Sequence, residues 1–326
     1  MSRSSVPAPV TAVMDAAAGW LPERMTEVEE RLAEQAAGHG PSLGAEAEAT
    51  LAAGGKRLRP LLVLIAAGAS AGERAVRAAA AVELVHMATL VHDDVLDGAP
   101  VRRGRPTVVA RSGRERAVAV GDLLLARAFA ELAVSGGEAE VEELSSASVA
   151  LALGELAQRR DAFDVSIGER RYLERCSLKT ARLFESACLV GRLASGAPGT
   201  EELAGFGREI GLAFQLLDDV LDVTGPAERT GKARGTDLLD GTVTLPLILA
   251  RRIDPELAGV ELRRLDQAAA ERICDRIAVS GALDEVRDRA REGIEQAKRI
   301  LDADAFSDDE RQLLGLIADG VVERYA

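Results

Sequence analysis

Along most of this chain apolar residues return every third or fourth position, the period of a helix that turns one face to a core. From about Pro9 to Ala36 that pattern predicts one helix, with Glu27, Glu30 and Glu34 marking its solvated face. Gly38-His39-Gly40-Pro41 ends it, and a second helix is expected from about Ser42 to Ala53. Gly54-Gly55 interrupts the chain before Pro60 opens the next helix. Residues 73–97 read as one long helix, apolar at Ala75, Val76, Ala79, Val82, Leu84, Val85 and Leu90. Further helices are predicted over 114–135, 138–161 and 168–194, and another apolar pattern closes at Asp222. Residues 223–237, with Gly225, Pro226, Gly231 and Gly235, predict a loop. Amphipathic helices fill the chain beyond Leu247. No linker divides the pattern, so residues 1–326 are expected to form a single all-α domain, a bundle of long helices with the first ten or so residues disordered.

Composition supports this and narrows the function. Ala, Leu, Arg and Glu dominate, all strong helix formers, and 47% of the 326 residues are hydrophobic, enough for a large core. A net charge of −13 removes the electrostatic footprint that nucleic-acid binding needs. Cys176, Cys188 and Cys274 have no metal-like spacing and make no even disulfide set, as in a reduced cytoplasmic protein. The N-terminus lacks the apolar core of a signal peptide, and no uninterrupted apolar run reaches the ~20 residues of a membrane span.

The chemistry lies in two acidic helix ends. In Leu90-Val91-His92-Asp93-Asp94-Val95-Leu96-Asp97, Asp93 and Asp97 share a helical face with Asp94 beside them. Phe214-Gln215-Leu216-Leu217-Asp218-Asp219-Val220-Leu221-Asp222 repeats the arrangement. One such cluster reads equally well as a solvated helix end; two, each closing an apolar run and each followed by basic residues, do not. Facing each other, they would form a ring of six carboxylates around metal ions. Hard oxygen ligands suit Mg²⁺, which takes one or two carboxylates and shares the rest of its shell with water and phosphate. Gly54-Gly55-Lys56-Arg57-Leu58-Arg59 offers a close backbone approach and charge-assisted donors for an anion, and Arg102-Arg103 suits bidentate phosphate recognition. His86 lies two turns before Asp93 on nearly the same side.

Together, the two acidic stretches and Gly54-Gly55-Lys56-Arg57-Leu58-Arg59-Pro60 resemble the trans-type isoprenyl diphosphate synthases, or polyprenyl synthetases, from about Gly54 to Pro246. The resemblance implies the type I isoprenoid synthase fold around a central active-site cavity, a homodimer built partly by the first helix, and three Mg²⁺ ions bound with the diphosphate substrate. It implies that isopentenyl diphosphate meets Lys56, Arg59, His86 and Arg103, and that the allylic diphosphate meets Arg102, Lys179 and Lys232. By the same resemblance Asp93, Asp97 and Asp218 hold the metal, with Asp94 and Asp219 beside them. Thr180 offers a backbone carbonyl, and Gln215 a side-chain oxygen, to the developing cation. His92, Glu155 and Gln158 fall in supporting positions, and the segment from Gly121 packs opposite the first acidic helix. One departure stands out. Where many members carry a second lysine before Thr-Leu-Pro, this chain has Thr242, a gap that Arg234 could fill.

Product length, on this resemblance, depends on Ala88 and Thr89, about one turn below Asp93. Their small side chains, and the absence of an insertion between Asp94 and Asp97, point to a linear all-trans product above C20; a geranylgeranyl (C20) or farnesyl product is the alternative. A noncatalytic subunit would be expected to have lost acidic residues, and a terpene cyclase lacks the Gly-Gly-Lys stretch and a second aspartate set of this form.

Overall fold

The structure, a computed structural model, describes residues 8–37, 39–134, 137–225 and 234–323. The predicted helix over 9–36 is two helices, α1 (Ala8–Ala16) and α2 (Leu21–Ala36). Gly19 weakens the junction, and Pro22 sits in the first turn of α2, where its missing N–H costs nothing. Likewise Pro41 lies in the first turn of α3 (Gly40–Ala52), and α4 (Leu58–Ala67) starts two residues before Pro60. The long helix is as predicted: α5 spans Glu73–Asp97.

A two-residue hairpin follows, β1 (Val101–Arg102) paired antiparallel with β2 (Arg105–Pro106), the only strands among the described residues. Arg103 and Gly104 turn it, both with positive φ. Then come α6 (Val108–Ser112), α7 (Arg114–Val134), α8 (Glu138–Asp161) and α9 (Glu169–Cys176). The predicted helix over 168–194 is interrupted: residues 177–181 form a π-turn before α10 (Arg182–Ser195). The second acidic helix is α11 (Thr200–Thr224). The chain ends in α12 (Thr236–Leu239), α13 (Leu245–Ile253), α14 (Pro255–Ala258), α15 (Gln267–Val279), α16 (Ala282–Ile300) and α17 (Asp308–Glu323).

The bundle is organised around α10, which is buried at Leu183, Phe184, Ala187, Cys188 and Val190 and packs on α4, α5, α8 and α11. Each fully buried Leu or Phe contributes roughly 1.5–3 kcal/mol by leaving water. Helix α5 packs most extensively on α7, and its buried run Ala78–Ala81 allows neighbours a close approach. It is also long and apolar enough to cross a membrane, but it lies inside the bundle and carries buried Glu83. Helix α11 packs on α10 and α16, and α1 packs on α17, bringing the two ends of the chain together.

Two glycines hold the π-turn in place. A Cβ on Gly154 of α8 would lie 2.6 Å from the Lys179 backbone nitrogen, and one on Gly211 of α11 would lie 2.5 Å from the Ala181 Cα. Backbone meets backbone there, so neither neighbour can give way. Elsewhere on α11 the case differs: a Cβ on Gly205 meets only the Ile300 Cδ1 tip at 3.2 Å. Gly211→Ala is therefore expected to lose about 2 kcal/mol in urea unfolding. Gly205→Ala should stay level or gain up to about 1 kcal/mol from helix propensity; equal midpoints for the two variants would contradict this packing.

Candidate active site

The cationic wall is assembled from the loop before α4, from α5 and from the hairpin. Arg103 lies directly over Gly55, whose missing Cβ would stand 3.0 Å from the Arg103 Nη1. Arg57 does not join this wall as the sequence suggested. It is buried with φ at 50°, donating from Nη1 to Glu83 Oε1 at 2.7 Å and from Nε to Glu29 Oε1 at 2.6 Å. Burial alone would lower its pKa, but the two glutamates outweigh that and raise it. Arg57 thus braces the loop while Lys56 beside it is exposed.

Arg59 lies with its guanidinium 4.5 Å from the Phe184 ring centroid, and its buried Nε has no hydrogen-bond partner. Burial, with Arg103 nearby, pushes its pKa down to about 10, against the pull of Glu83. His86 sits among these arginines. Burial first, then Arg59, Arg103, Arg102 and Arg57, hold its pKa well below the ordinary range, so it is neutral at pH 7. A neutral imidazole and an unpartnered guanidinium N–H, among several cations, form a site suited to an anion.

Across from the wall lie the carboxylates. Asp94 is buried and accepts from Arg102 Nε at 2.7 Å, so it orients that arginine from behind. Asp93 is half-buried. Burial pushes its pKa up to about 6, with Glu155 and Asp97 adding and Lys179 opposing. Asp97 is exposed and pairs with Arg159 of α8, whose Nε also donates to Glu155 at 2.7 Å; Glu155 in turn pairs with Lys179.

Lys179 belongs to the π-turn, whose next residue begins a second relay. Thr180 Oγ1 donates to Gln215 Oε1 at 2.7 Å, and Gln215 Nε2 donates to Asp219 Oδ1 at 2.7 Å. Tyr172 of α9 donates its hydroxyl to Asp219 Oδ2 at 2.6 Å. Burial pushes Asp219 up to about 8, helped by Asp237 and Asp218 and opposed by the Tyr172 and Gln215 bonds. Asp222 accepts the Asp237 backbone N–H at 3.3 Å, while Asp218 is exposed. The two acid sets therefore border one π-turn from opposite sides.

Residues 41–276 match the profile of the Polyprenyl synthetase family. The chain belongs to this family. It is 41% identical over 248 residues to heptaprenyl diphosphate synthase component 2 of Geobacillus stearothermophilus, covering 74% of this chain and 78% of that one. It is 38% identical to the octaprenyl diphosphate synthase of Escherichia coli strain K12, over 75% and 78% of the two chains. Its fold matches the crystal structure of a polyprenyl synthase from Caulobacter crescentus CB15 complexed with calcium and isoprenyl diphosphate, at a TM-score of 0.90 and 36% identity over 97% and 98%. The chain is thus a prenyltransferase with the all-α isoprenoid synthase fold, acting in prenyl chain elongation.

Several expectations for this polyprenyl synthetase need revision. The ring of six carboxylates is not formed: Asp94 is taken by Arg102, Asp219 by Tyr172 and Gln215, and Asp222 holds the Asp237 backbone. Asp93 is half-buried, and Asp97 and Asp218 are exposed. Among the described residues no three His, Cys, Asp or Glu side chains form a metal cage by themselves. Gln215 spends its side-chain oxygen on Thr180. Arg234 does not replace the missing lid lysine, because it donates to the Val223 carbonyl and pairs with Asp275 at 2.7 Å. Lys232 lies outside the described residues. Thr242 is half-buried, its N–H donating to the Asp237 carbonyl at 2.8 Å.

His92 packs against Gly121 of α7 with Nε2 3.4 Å from Asp122 Oδ1. Gln158 is half-buried on the same turn of α8 as Arg159. Ala88 is 1% exposed, while Thr89 is half-buried and donates to the His86 carbonyl at 2.7 Å. Sequence reasoning missed Tyr172, Arg159 and Asp237. The first two carried a faint signal, Tyr172 standing seven residues before Lys179 and Arg159 four after Glu155, both helical spacings.

Asp93 generates a pH prediction for the metal-free protein. Its folded pKa of about 6 lies above the unfolded value of about 3.9. Between the two the native state keeps a proton that the unfolded state releases, so stability falls as pH rises. Two pK units would be worth about 3 kcal/mol, cut by solvent screening at this half-buried group to about 1–2 kcal/mol. Between pH 4 and 7 the wild type should lose that much more unfolding free energy than Asp93→Asn. Parallel stability curves would place Asp93 in water.

Proposed function

We propose that this chain is an Mg²⁺-dependent trans-prenyltransferase that condenses isopentenyl diphosphate with an allylic prenyl diphosphate, giving a linear all-trans polyprenyl diphosphate above C20. The observation that carries this reading is the π-turn between the two acid sets, with Lys179 linked through Glu155 toward the first and Thr180 linked through Gln215 to Asp219 of the second. The residues fit a divalent ion that arrives with phosphate. Asp93, Asp97 and Asp218 supply hard oxygens but no complete cage, as Mg²⁺ completes its shell with water and substrate phosphate oxygens. The Caulobacter relative is described with calcium and isoprenyl diphosphate, which supports a divalent ion here; we take the number of ions as three.

Bound there, Mg²⁺ supplies Lewis-acid stabilisation of the diphosphate leaving group. The chain's own residues do the rest. Lys179 and Arg102, the latter aimed by Asp94, hold the allylic diphosphate, joined by Lys232, and neutralise charge as its C–O bond breaks. Lys56, Arg59, neutral His86 and Arg103 hold isopentenyl diphosphate, whose double bond attacks the allylic carbon. Thr180 and Gln215 present oxygen dipoles to the carbocation, Gln215 turning from its Thr180 bond to do so. The proton lost from the new chain passes to the released diphosphate, so no protein nucleophile is needed.

Small side chains below Asp93 support a long product, as do the hepta-, octa- and nonaprenyl synthases among the relatives. A single domain across the chain is supported by α1 closing on α17, and three buried free cysteines accord with the cytoplasm. We assign a homodimer to the exposed apolar face of α8, where Val149, Leu153 and Leu156 are 58%, 53% and 60% exposed. One relative's name, component 2, favours a second reading in which that face takes a different subunit. Light scattering of the purified chain with an activity assay separates them: an active dimer alone, or an inactive chain that needs a partner.

Incubation with labelled isopentenyl diphosphate, Mg²⁺ and each allylic primer should give polyprenyl products above C20. Asp93→Ala should lower turnover about a thousandfold, roughly 4 kcal/mol of lost charge stabilisation, with the helical circular dichroism unchanged; normal turnover in that variant would remove the metal role from this cluster. Thr89→Phe is the cleaner length probe, because Ala88 is fully packed and a larger side chain there risks overpacking. Its product should shorten by at least one isoprene unit, and an unchanged product ladder would count against a tunnel at this level.

A further inference from the structure

Arg159 has no role in the reading above, yet it touches the first acid set directly. It sits on α8 one turn beyond Glu155, donating to that glutamate from Nε at 2.7 Å while its terminal nitrogen reaches across to Asp97 on α5. Glu155 also pairs with Lys179, so Asp97, Arg159, Glu155 and Lys179 form one chain of alternating charge. The two ends of the arginine are not equivalent. The Nε bond is an i,i+4 contact within one helix; the Asp97 contact spans two helices and ends at an exposed carboxylate.

We propose that Arg159 is a hinged internal counter-ion: in the substrate-free enzyme it occupies Asp97 Oδ1, and it swings aside, still tethered to Glu155, as Asp97 takes a divalent ion. This rests on the metal reading of Asp97 given above. A guanidinium on Asp97 Oδ1 takes up charge and lone pairs that a divalent cation would draw on, so the ion pair competes with the metal by mass action. Arg159 is a positioning residue that sets how readily the first acid set loads. The side chains of the pair are 39% and 36% exposed, so the competition is modest, about fivefold in apparent metal affinity.

The test is Mn²⁺ binding to full-length, substrate-free protein with and without inorganic pyrophosphate, the free ion being read by electron paramagnetic resonance. Arg159→Gln and Arg159→Met, two neutral side chains checked for folding by circular dichroism, should bind the ion about fivefold more tightly than wild type. Arg159→Lys should return most of the wild-type value, and Arg160→Gln, at the exposed neighbouring position, should leave it unchanged. Equal or weaker binding in both neutral variants, with wild type still binding Mn²⁺, would overturn the counter-ion role alone. If neither wild type nor variants bind the ion even with pyrophosphate, the metal reading of Asp97 falls, and this inference with it.

Discussion

Six aspartates at the ends of two apolar helices repel one another, and this fold can hold them only by giving its buried carboxylates donors of their own. The molecule meets that demand unevenly. Asp94 is matched by Arg102, and Asp219 by Tyr172 and Gln215, inside the protein where an unpaired carboxylate would be costly. Asp93 is half-buried, Asp97 and Asp218 are exposed, and Arg159 pairs with Asp97. In each Asp-Asp pair the second aspartate is thus bonded inside the protein.

The π-turn over 177–181 is what couples the two halves. It packs between glycines of α8 and α11, aiming Lys179 toward the first acid set and Thr180, through Gln215, toward the second. An unbroken α-helix would place successive side chains about 100° apart and carry one of the two away from its partner. Insertions of this kind are frequent where a helix serves a site.

The helices were legible because their apolar period is regular. Residues 73–97 emerged with the predicted bounds, and the family's fold followed from the two acidic motifs. What failed to show has physical reasons. Periodicity does not see a π-turn, since the register shift of one extra residue, about 100°, is no wider than the apolar stripe that the pattern registers. The break before α2 was missed because the residues on both sides of Gly19 keep a helical pattern. In the site, residue type gave the candidates but not their partners: Arg57 and Arg59 look alike in the sequence, yet one is clamped by Glu29 and Glu83 while the other keeps an unpartnered N–H. Tyr172 and Arg159 act through contacts 47 and 62 residues distant, which local spacing cannot reveal.

The central claim is that the two acid sets grip one diphosphate through divalent ions beside the π-turn. A crystal structure with Mg²⁺ and an unreactive thiolo analogue of an allylic diphosphate tests it most directly. The account predicts metal density against Asp93 and Asp97 on one side and Asp218 on the other, with the diphosphate between them and Lys179 on its oxygens. Analogue and ions bound elsewhere, with both acid sets still holding only protein partners, would contradict it.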